Sequence, residues 1–364
     1  MEANQSPSYN EGDFNAFIPF ENNKNNCFTN EVRLKIQVPK YAGFTGSKMV
    51  YEHEVTMDTG STGLLISAID LGYTVESQLQ EYDRGTEYLS SSCAFYRGYW
   101  VPTKVTFPNG NVSASVKILA VTQSGKCSRF NDTTGDCEKL ENPVSFPPGK
   151  CYLGVGFGRL STQQPGGTAD NNPLINIIET SDGTNIERSG IRQGYVITET
   201  GVWVGLTKGN TNDFSFIKLS PHSDNQTTAQ LPEWNGTPAF ITYPYHNSQN
   251  MQGTALFDTG ITQSYLSGIA FKGQAAHHLS TGEQYVIKIG DQAASPIETL
   301  DMKVDDSTNP ITPTYVRASF KGCQEPAFVN TGRFFYREFD LLLDAEEGWV
   351  GLRKHEPCNA LSVS

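Results

Sequence analysis

Two copies of the tripeptide Asp-Thr-Gly, at Asp58-Thr59-Gly60 and Asp258-Thr259-Gly260, constrain this chain more than any other feature. Each closes an apolar, strand-like run. The first is approached through Val55-Thr56-Met57 and followed by Ser61-Thr62-Gly63-Leu64-Leu65; the second is approached through Ala255-Leu256-Phe257 and followed by Ile261-Thr262. A single triplet reads as an ordinary turn, with its aspartate as a local backbone acceptor. One copy per half, each with a similar approach, points instead to a duplicated architecture. A carboxylate at a strand end, beside a glycine that lets the backbone turn sharply, can be pushed into a cleft between two lobes. If both halves do this, two carboxylates meet. Like charges that close do not both ionise, so the pair holds one proton over a broad acidic range. Such a pair is an acid and a base in one site. Its ionised member takes a proton from a trapped water while its protonated member polarises a carbonyl, which suits amide hydrolysis without a metal or a covalent intermediate.

On these residues the chain resembles the pepsin-like aspartic peptidase family, as a divergent member. The resemblance implies an all-β, bilobal fold, with two similar β lobes and a cleft between them. It implies catalytic roles for Asp58 and Asp258, and dyad support from Thr59, Gly60, Ser61, Thr259, Gly260 and Thr262. In that family each lobe carries a second signature, two hydrophobic residues and then glycine, packed beside its catalytic loop. Tyr152-Leu153-Gly154 fits in the first lobe. Asn330-Thr331-Gly332 stands in its place in the second, with Asn and Thr where the hydrophobic pair is expected. Residues 339–344 and 349–352 look like the family's closing pair of apolar strands around a short turn. The resemblance spans about Glu31 to Leu352 and is faint between these anchors.

The same resemblance gives Thr59 and Thr259 hydroxyls that cross-link the two loops, and gives Ser61 as the hydroxyl that steadies the first aspartate. The corresponding residue in the second lobe is Ile261, whose alkyl group donates no hydrogen bond. A donor beside a carboxylate stabilises its charged form, so Asp58 is expected to be the ionised member and Asp258 the proton carrier. The family's flap carries a tyrosine. The region 87–100 offers Tyr88, Tyr96 and Tyr99, and each reads equally well as an aromatic strand residue packed on a neighbour.

A length of 364 residues suits two similar lobes of roughly 150 to 180 residues better than one core. The boundary is expected between Gly194 and Gly205, giving an N-terminal lobe 1–197 and a C-terminal lobe 198–364. With Gly 34 and Pro 19, and alternating runs such as Val32-Arg33-Leu34-Lys35-Ile36-Gln37-Val38, the chain reads as mostly strand. The better helix candidates are short, at 173–178 and 269–276. A formal net charge of −12 argues against nucleic acid, whose phosphates need a basic face. No apolar run approaches the length of a membrane span. The start Met1-Glu2-Ala3-Asn4 is not a signal peptide, so a signal was either removed before this numbering or never present.

Seven cysteines point towards an oxidising compartment, secreted or vacuolar in type, with the cytoplasm as the alternative. Cys127 and Cys137 bracket a polar loop and form the first expected disulfide. Cys323 and Cys358 are a candidate staple of the second lobe, and Cys27, Cys93 and Cys151 leave one odd thiol. Neither a metal nor a cofactor is expected: Cys-x-x-Cys does not occur, and His277-His278 has no companion ligand motif. Asn111, Asn131, Asn225 and Asn235 each begin an Asn-x-Ser/Thr sequon. The run Gly154-Val155-Gly156-Phe157-Gly158 is better explained as a lobe signature than as a phosphate loop.

Three functions follow. The first is a monomeric endopeptidase that binds an extended peptide or protein segment across the cleft, with Asp58 and Asp258 sharing a proton around the attacking water. The second is the same fold and dyad turned to other acid-base chemistry on a small molecule. The third is a non-catalytic binding or inhibitor-trapping protein, against which the two intact aspartates argue.

Overall fold

The computed structural model describes residues 6–21, 27–41, 49–89, 91–131, 134–157, 169–222, 231–244, 250–322 and 325–358. Met1 to Asn4, Gly158, Asn225 and Cys323, all named above, lie outside them, as does Ser90 within the region 87–100. Strand dominates, and the described helical turns are short 3-10 segments. The alternating run near residue 33 forms the strand Arg33–Pro39, with Leu34, Ile36 and Val38 buried on one face, as a period of two requires.

The described residues form three sheets. Residues 33–180 supply a nine-stranded sheet, and residues 237–330 supply an eight-stranded one. Their strand orders correspond around the two triplets. In the first, Val50–Asp58 runs parallel to Cys151–Val155, which pairs antiparallel with Thr62–Ser67, itself parallel to Val112–Asn131. In the second, Met251–Leu256 runs parallel to Ala327–Asn330, which pairs antiparallel with Ser264–Ser267, itself parallel to Val316–Ser319. In each half the chain therefore leaves the triplet and turns back one strand away, and a later strand fills the place between the two. The fold is all-β and bilobal.

A six-stranded sheet joins the halves, in the order Ala16–Pro19, Gly201–Val204, Gly194–Ile197, Phe339–Asp344, Trp349–Lys354, Ser215–Lys218. Residues 197 and 198 fall at the turn between its second and third strands, so this sheet draws on both sides of that boundary. Its central strands Gly194–Ile197 and Phe339–Asp344 are buried throughout, which explains their continuous apolar runs. Two aspartates break the second run. Asp344 is paired with Arg192 at 2.8 Å and Asp340 with Arg353 at 2.7 Å, so neither buried charge is left alone.

Neither expected helix forms as read. Residues 173–175 are a turn, and Ile177–Thr180 is a strand paired with Val112–Asn131. The side chain of Asn172 accepts the Leu174 N–H, and that of Asn176 donates to Ala169 and Asn172 carbonyls, which supports a turn in place of a helix. Ile269–Phe271 is one 3-10 turn, and Gly273 follows it at φ +82°. Among the described residues, no helix is long and apolar enough to cross a membrane.

Cys127 and Cys137 are bonded as expected, across the hairpin of Val112–Asn131 and Asp136–Ser145. Cys358 is not joined to Cys323; it is bonded to Cys27. The reason lies in Arg337, whose guanidinium donates to the Cys27 carbonyl at 2.9 Å while its own carbonyl accepts the Cys358 N–H at 2.9 Å. The two chain ends are thereby brought together. Cys93 and Cys151 are free thiols. His277 and His278 sit on a short strand against Ala318 and Arg317, and no metal-binding cluster occurs among the described residues.

Because the Cys27–Cys358 bond closes a sequence separation of 331 residues, replacing both cysteines by serine should cost about 2 to 4 kcal/mol and lower the melting temperature by several degrees. Non-reducing peptide mapping should recover Cys27 joined to Cys358. Recovery of a Cys323–Cys358 peptide would reject this pairing.

Candidate active site

The two triplets meet at the centre of the molecule. Asp58 and Asp258 are 5% and 6% exposed, and Thr259 is fully buried between them and the sheets. Four hydrogen bonds join the loops. The Thr59 N–H donates to Thr259 Oγ1 at 3.0 Å, and the Thr259 N–H donates to Thr59 Oγ1 at 2.9 Å. Each hydroxyl then donates onward to the strand opposite, Thr59 to the Phe257 carbonyl at 2.5 Å and Thr259 to the Met57 carbonyl at 2.9 Å. Every polar atom in this reciprocal pair is used, so its burial is compensated.

Within each loop the aspartate's Oδ1 accepts the N–H of the following glycine, at 2.7 Å for Gly60 and 2.7 Å for Gly260. The glycines are also needed for space. A Cβ on Gly60 would lie 2.4 Å from Asp258 Oδ2, and a Cβ on Gly260 would lie 2.5 Å from Asp58 Oδ1. Each carboxylate thus occupies the place where a side chain on the opposite loop would stand. That requirement is distinct from the sharp turn inferred from sequence.

The outer oxygens are held by residues that sequence reasoning did not assign to the site. The Tyr152 phenol donates to Asp58 Oδ2 at 2.5 Å, and Asn330 Nδ2 donates to Asp258 Oδ2 at 2.6 Å. Both begin the segments first read as hydrophobic signatures. Ser61 is buried beside them, yet its Oγ makes no hydrogen bond. The Thr262 hydroxyl pairs with Thr314 at 3.2 Å, and that pairing does not bring it onto either carboxylate. Ile261 supplies its backbone carbonyl to the Arg333 N–H at 2.7 Å.

Arg333, which directly follows Asn330-Thr331-Gly332, is a further unassigned residue. It is 8% exposed, and its Nε and Nη1 have no hydrogen-bond partner. Burial lowers its pKa, with the charge of Glu31 acting most strongly in the opposite direction. A lone arginine in an aromatic run carries no sequence signal for such a position.

The three candidate flap tyrosines separate. Arg84–Leu89 and Ala94–Phe107 form an antiparallel hairpin that contains all of them. Tyr88 stacks on Phe130 with centroids 4.3 Å apart. Tyr99 is buried in the core and donates to Glu76 at 2.9 Å. Tyr96 packs on the cluster of Leu65, Trp100, Leu119 and Val121, which Tyr152 also joins. It is therefore the one linked by packing to the dyad.

Desolvation, then the charge of Asp58, pushes the Asp258 carboxyl up to about 8, against the lowering hydrogen bonds from Asn330 and Gly260. Asp258 is therefore biased towards its protonated form. The sequence-based expectation named the same residue, but the reason differs, since Ser61 makes no bond to Asp58. Tyr152 is pushed far above the usual phenol range, by burial first and then by Asp58, so it remains a donor throughout.

Among solved structures, the chain is similar to an aspartic proteinase from Irpex lacteus, with 15% sequence identity and a TM-score of 0.51. The match covers 96% of this chain and 100% of that one. The fold is that of the pepsin-like aspartic proteinases. No family model matches the sequence, and no curated protein matches it. At this identity the likeness shows the pepsin-like fold alone.

A carboxyl raised from an ordinary 3.8 to about 8 favours folding most while protonated, so its contribution is complete below about 3.8 and is lost as pH rises towards 8. Melting temperature should accordingly fall across that window. Asp258→Asn, neutral and isosteric, should flatten the slope and raise the melting temperature at neutral pH. An unchanged slope in the variant would show that Asp258 is not the group responsible.

Proposed function

We propose that the chain is an aspartic endopeptidase that hydrolyses peptide bonds through Asp58, Asp258 and an activated water. The observation that carries this reading is the pair of buried carboxylates, each seated against the other loop's glycine and bracketed by the Thr59–Thr259 cross-link. Two carboxylates buried together are costly unless their shared proton is used. In the proposed reaction, protonated Asp258 donates a hydrogen bond to the scissile carbonyl while the charged partner takes a proton from the water. The water oxygen adds to the carbonyl carbon as Asp258 passes its proton to the carbonyl oxygen, giving a gem-diol. Asp58 then delivers the proton it took from the water to the nitrogen as the C–N bond breaks, and Asp258 takes back a proton from a gem-diol hydroxyl as the carbonyl re-forms in the product acid. The glycine N–H groups and the side chains of Tyr152 and Asn330 hold the carboxyl groups in place, so little reorganisation accompanies the step.

The substrate proposed is an extended peptide or protein segment, and the setting an oxidising one, secreted or vacuolar, in keeping with the two disulfides.

Digestion of a mixed peptide library across acidic to neutral pH, with and without a statine-type transition-state mimic, tests the reading. Inhibitable cleavage is expected, and Asp58→Asn or Asp258→Asn should each reduce it by at least about 100-fold. Full activity in the Asp258→Asn protein would remove the two-carboxylate mechanism. Absence of any cleaved peptide would favour the binding function.

A further inference from the structure

We infer that Tyr152 and Asn330 are a matched pair of positioning residues, each holding the outer oxygen of one dyad carboxylate and each setting one limb of the dyad's pH dependence. The inference rests on the proposed peptidase reading for its kinetic consequences, and on geometry for the rest.

The two donors occupy equivalent places. Cys151–Val155 runs parallel to Val50–Asp58 with Leu153 opposite Met57 and Gly154 opposite Asp58. Tyr152 therefore stands opposite the residue two before the aspartate. In the second half, Asn330 is opposite Leu256, again two before the aspartate. From that register both side chains reach the same atom, Oδ2, at 2.5 and 2.6 Å. A tyrosine and an asparagine share neither shape nor length. What they share is an N–H or O–H donor delivered to one position.

Ser61, the hydroxyl expected to steady Asp58, does not bind it, and the corresponding place in the second half has no hydroxyl at all. Ser61 Oγ is buried without a hydrogen bond, and Ile261 has no donor side chain. The asparagine's orientation is fixed, because its Oδ1 accepts the Gly332 N–H at 3.0 Å, leaving Nδ2 to face Asp258. Its backbone is pinned as well, since the Asn330 carbonyl accepts the Ser264 hydroxyl at 2.6 Å. On the other side, Tyr152 packs with the cluster of Leu65, Trp100, Leu119 and Val121, which holds the ring. Each carboxylate thus receives one backbone donor on Oδ1 and one side-chain donor on Oδ2.

A donor to a carboxylate favours its charged form. Removing the Tyr152 hydroxyl as Tyr152→Phe should move the acid limb of the kcat/KM profile upward by about one pH unit, while removing the Asn330 donor as Asn330→Leu should move the alkaline limb upward by a similar amount. KM should change less than kcat, because neither side chain needs to touch the substrate.

Rescue separates positioning from packing. Ile261→Ser alone should move neither limb appreciably, because Asp258 Oδ2 already has its donor. In the Asn330→Leu background the same change should draw the alkaline limb back towards its parental position. Melting temperature against pH supplies a readout free of activity: in Asn330→Leu, the pH window in which stability is lost should shift upward with the Asp258 carboxyl. If no peptide is ever cleaved, that shift still tests the donors, and the peptidase reading fails separately. Should Tyr152→Phe not fold, Asn330→Leu and its rescue carry the test. Folded variants with unmoved limbs and an unmoved stability window would show that Tyr152 and Asn330 are packing residues and would overturn the inference.

Discussion

Everything at the centre of this molecule depends on the reciprocal hydrogen bonds between Thr59 and Thr259. Two carboxylates brought together away from water repel and lose hydration, and left alone they would push the loops apart. The threonine pair opposes this by giving each loop's N–H a hydroxyl from the other and sending each hydroxyl on to the opposite strand's carbonyl. Broken on one side, it would leave a buried N–H in the other half without its hydroxyl partner. The two halves therefore hold one another's carboxylates in place, and neither contains the complete pair.

The sheets serve that junction. Each aspartate lies at the end of a strand or two residues past it, that strand is flanked by a parallel neighbour, and the parallel register is what carries a donor to its Oδ2 oxygen. The six-stranded sheet and the Cys27–Cys358 bond tie the halves and the chain ends together. Glycine at positions 60 and 260 leaves room for the opposite carboxylate. These are steric, hydrogen-bonding and topological constraints that converge on the two carboxyl groups.

The duplicated triplets made the fold class legible in the sequence, because a strand end, a carboxylate and a glycine recur with similar surroundings. The strand at residues 33–39 was legible from its period of two. What depends on register was not. Tyr152 read as one of a hydrophobic pair because its ring packs like one, and its hydroxyl gains a role only when the parallel strand sets it beside Asp58. Asn330 was noticed as a departure from a pattern, without a reason for the departure. Ser61 shows the reverse: a hydroxyl at the expected position forms no bond once Tyr152 has taken the oxygen. Cys27 and Cys358 were unreadable as a pair because their approach depends on Arg337, which bonds to both segments across the fold. The false helices at 173–178 and 269–276 came from short apolar runs, where asparagine side chains and Gly273 decide for turns.

The central claim is that the Thr59–Thr259 cross-link forces two carboxylates to share one proton. Carboxyl carbon NMR of the protein labelled at aspartate, titrated from acid to neutral pH and assigned with single Asp-to-Asn variants, tests it most directly. The account predicts two coupled steps well separated in pH, with the upper one lost in Asp258→Asn and drawn down towards the ordinary range when the cross-link is cut as Thr59→Val. Two independent transitions near the ordinary carboxylate value of about 4, unaffected by either change, would contradict it.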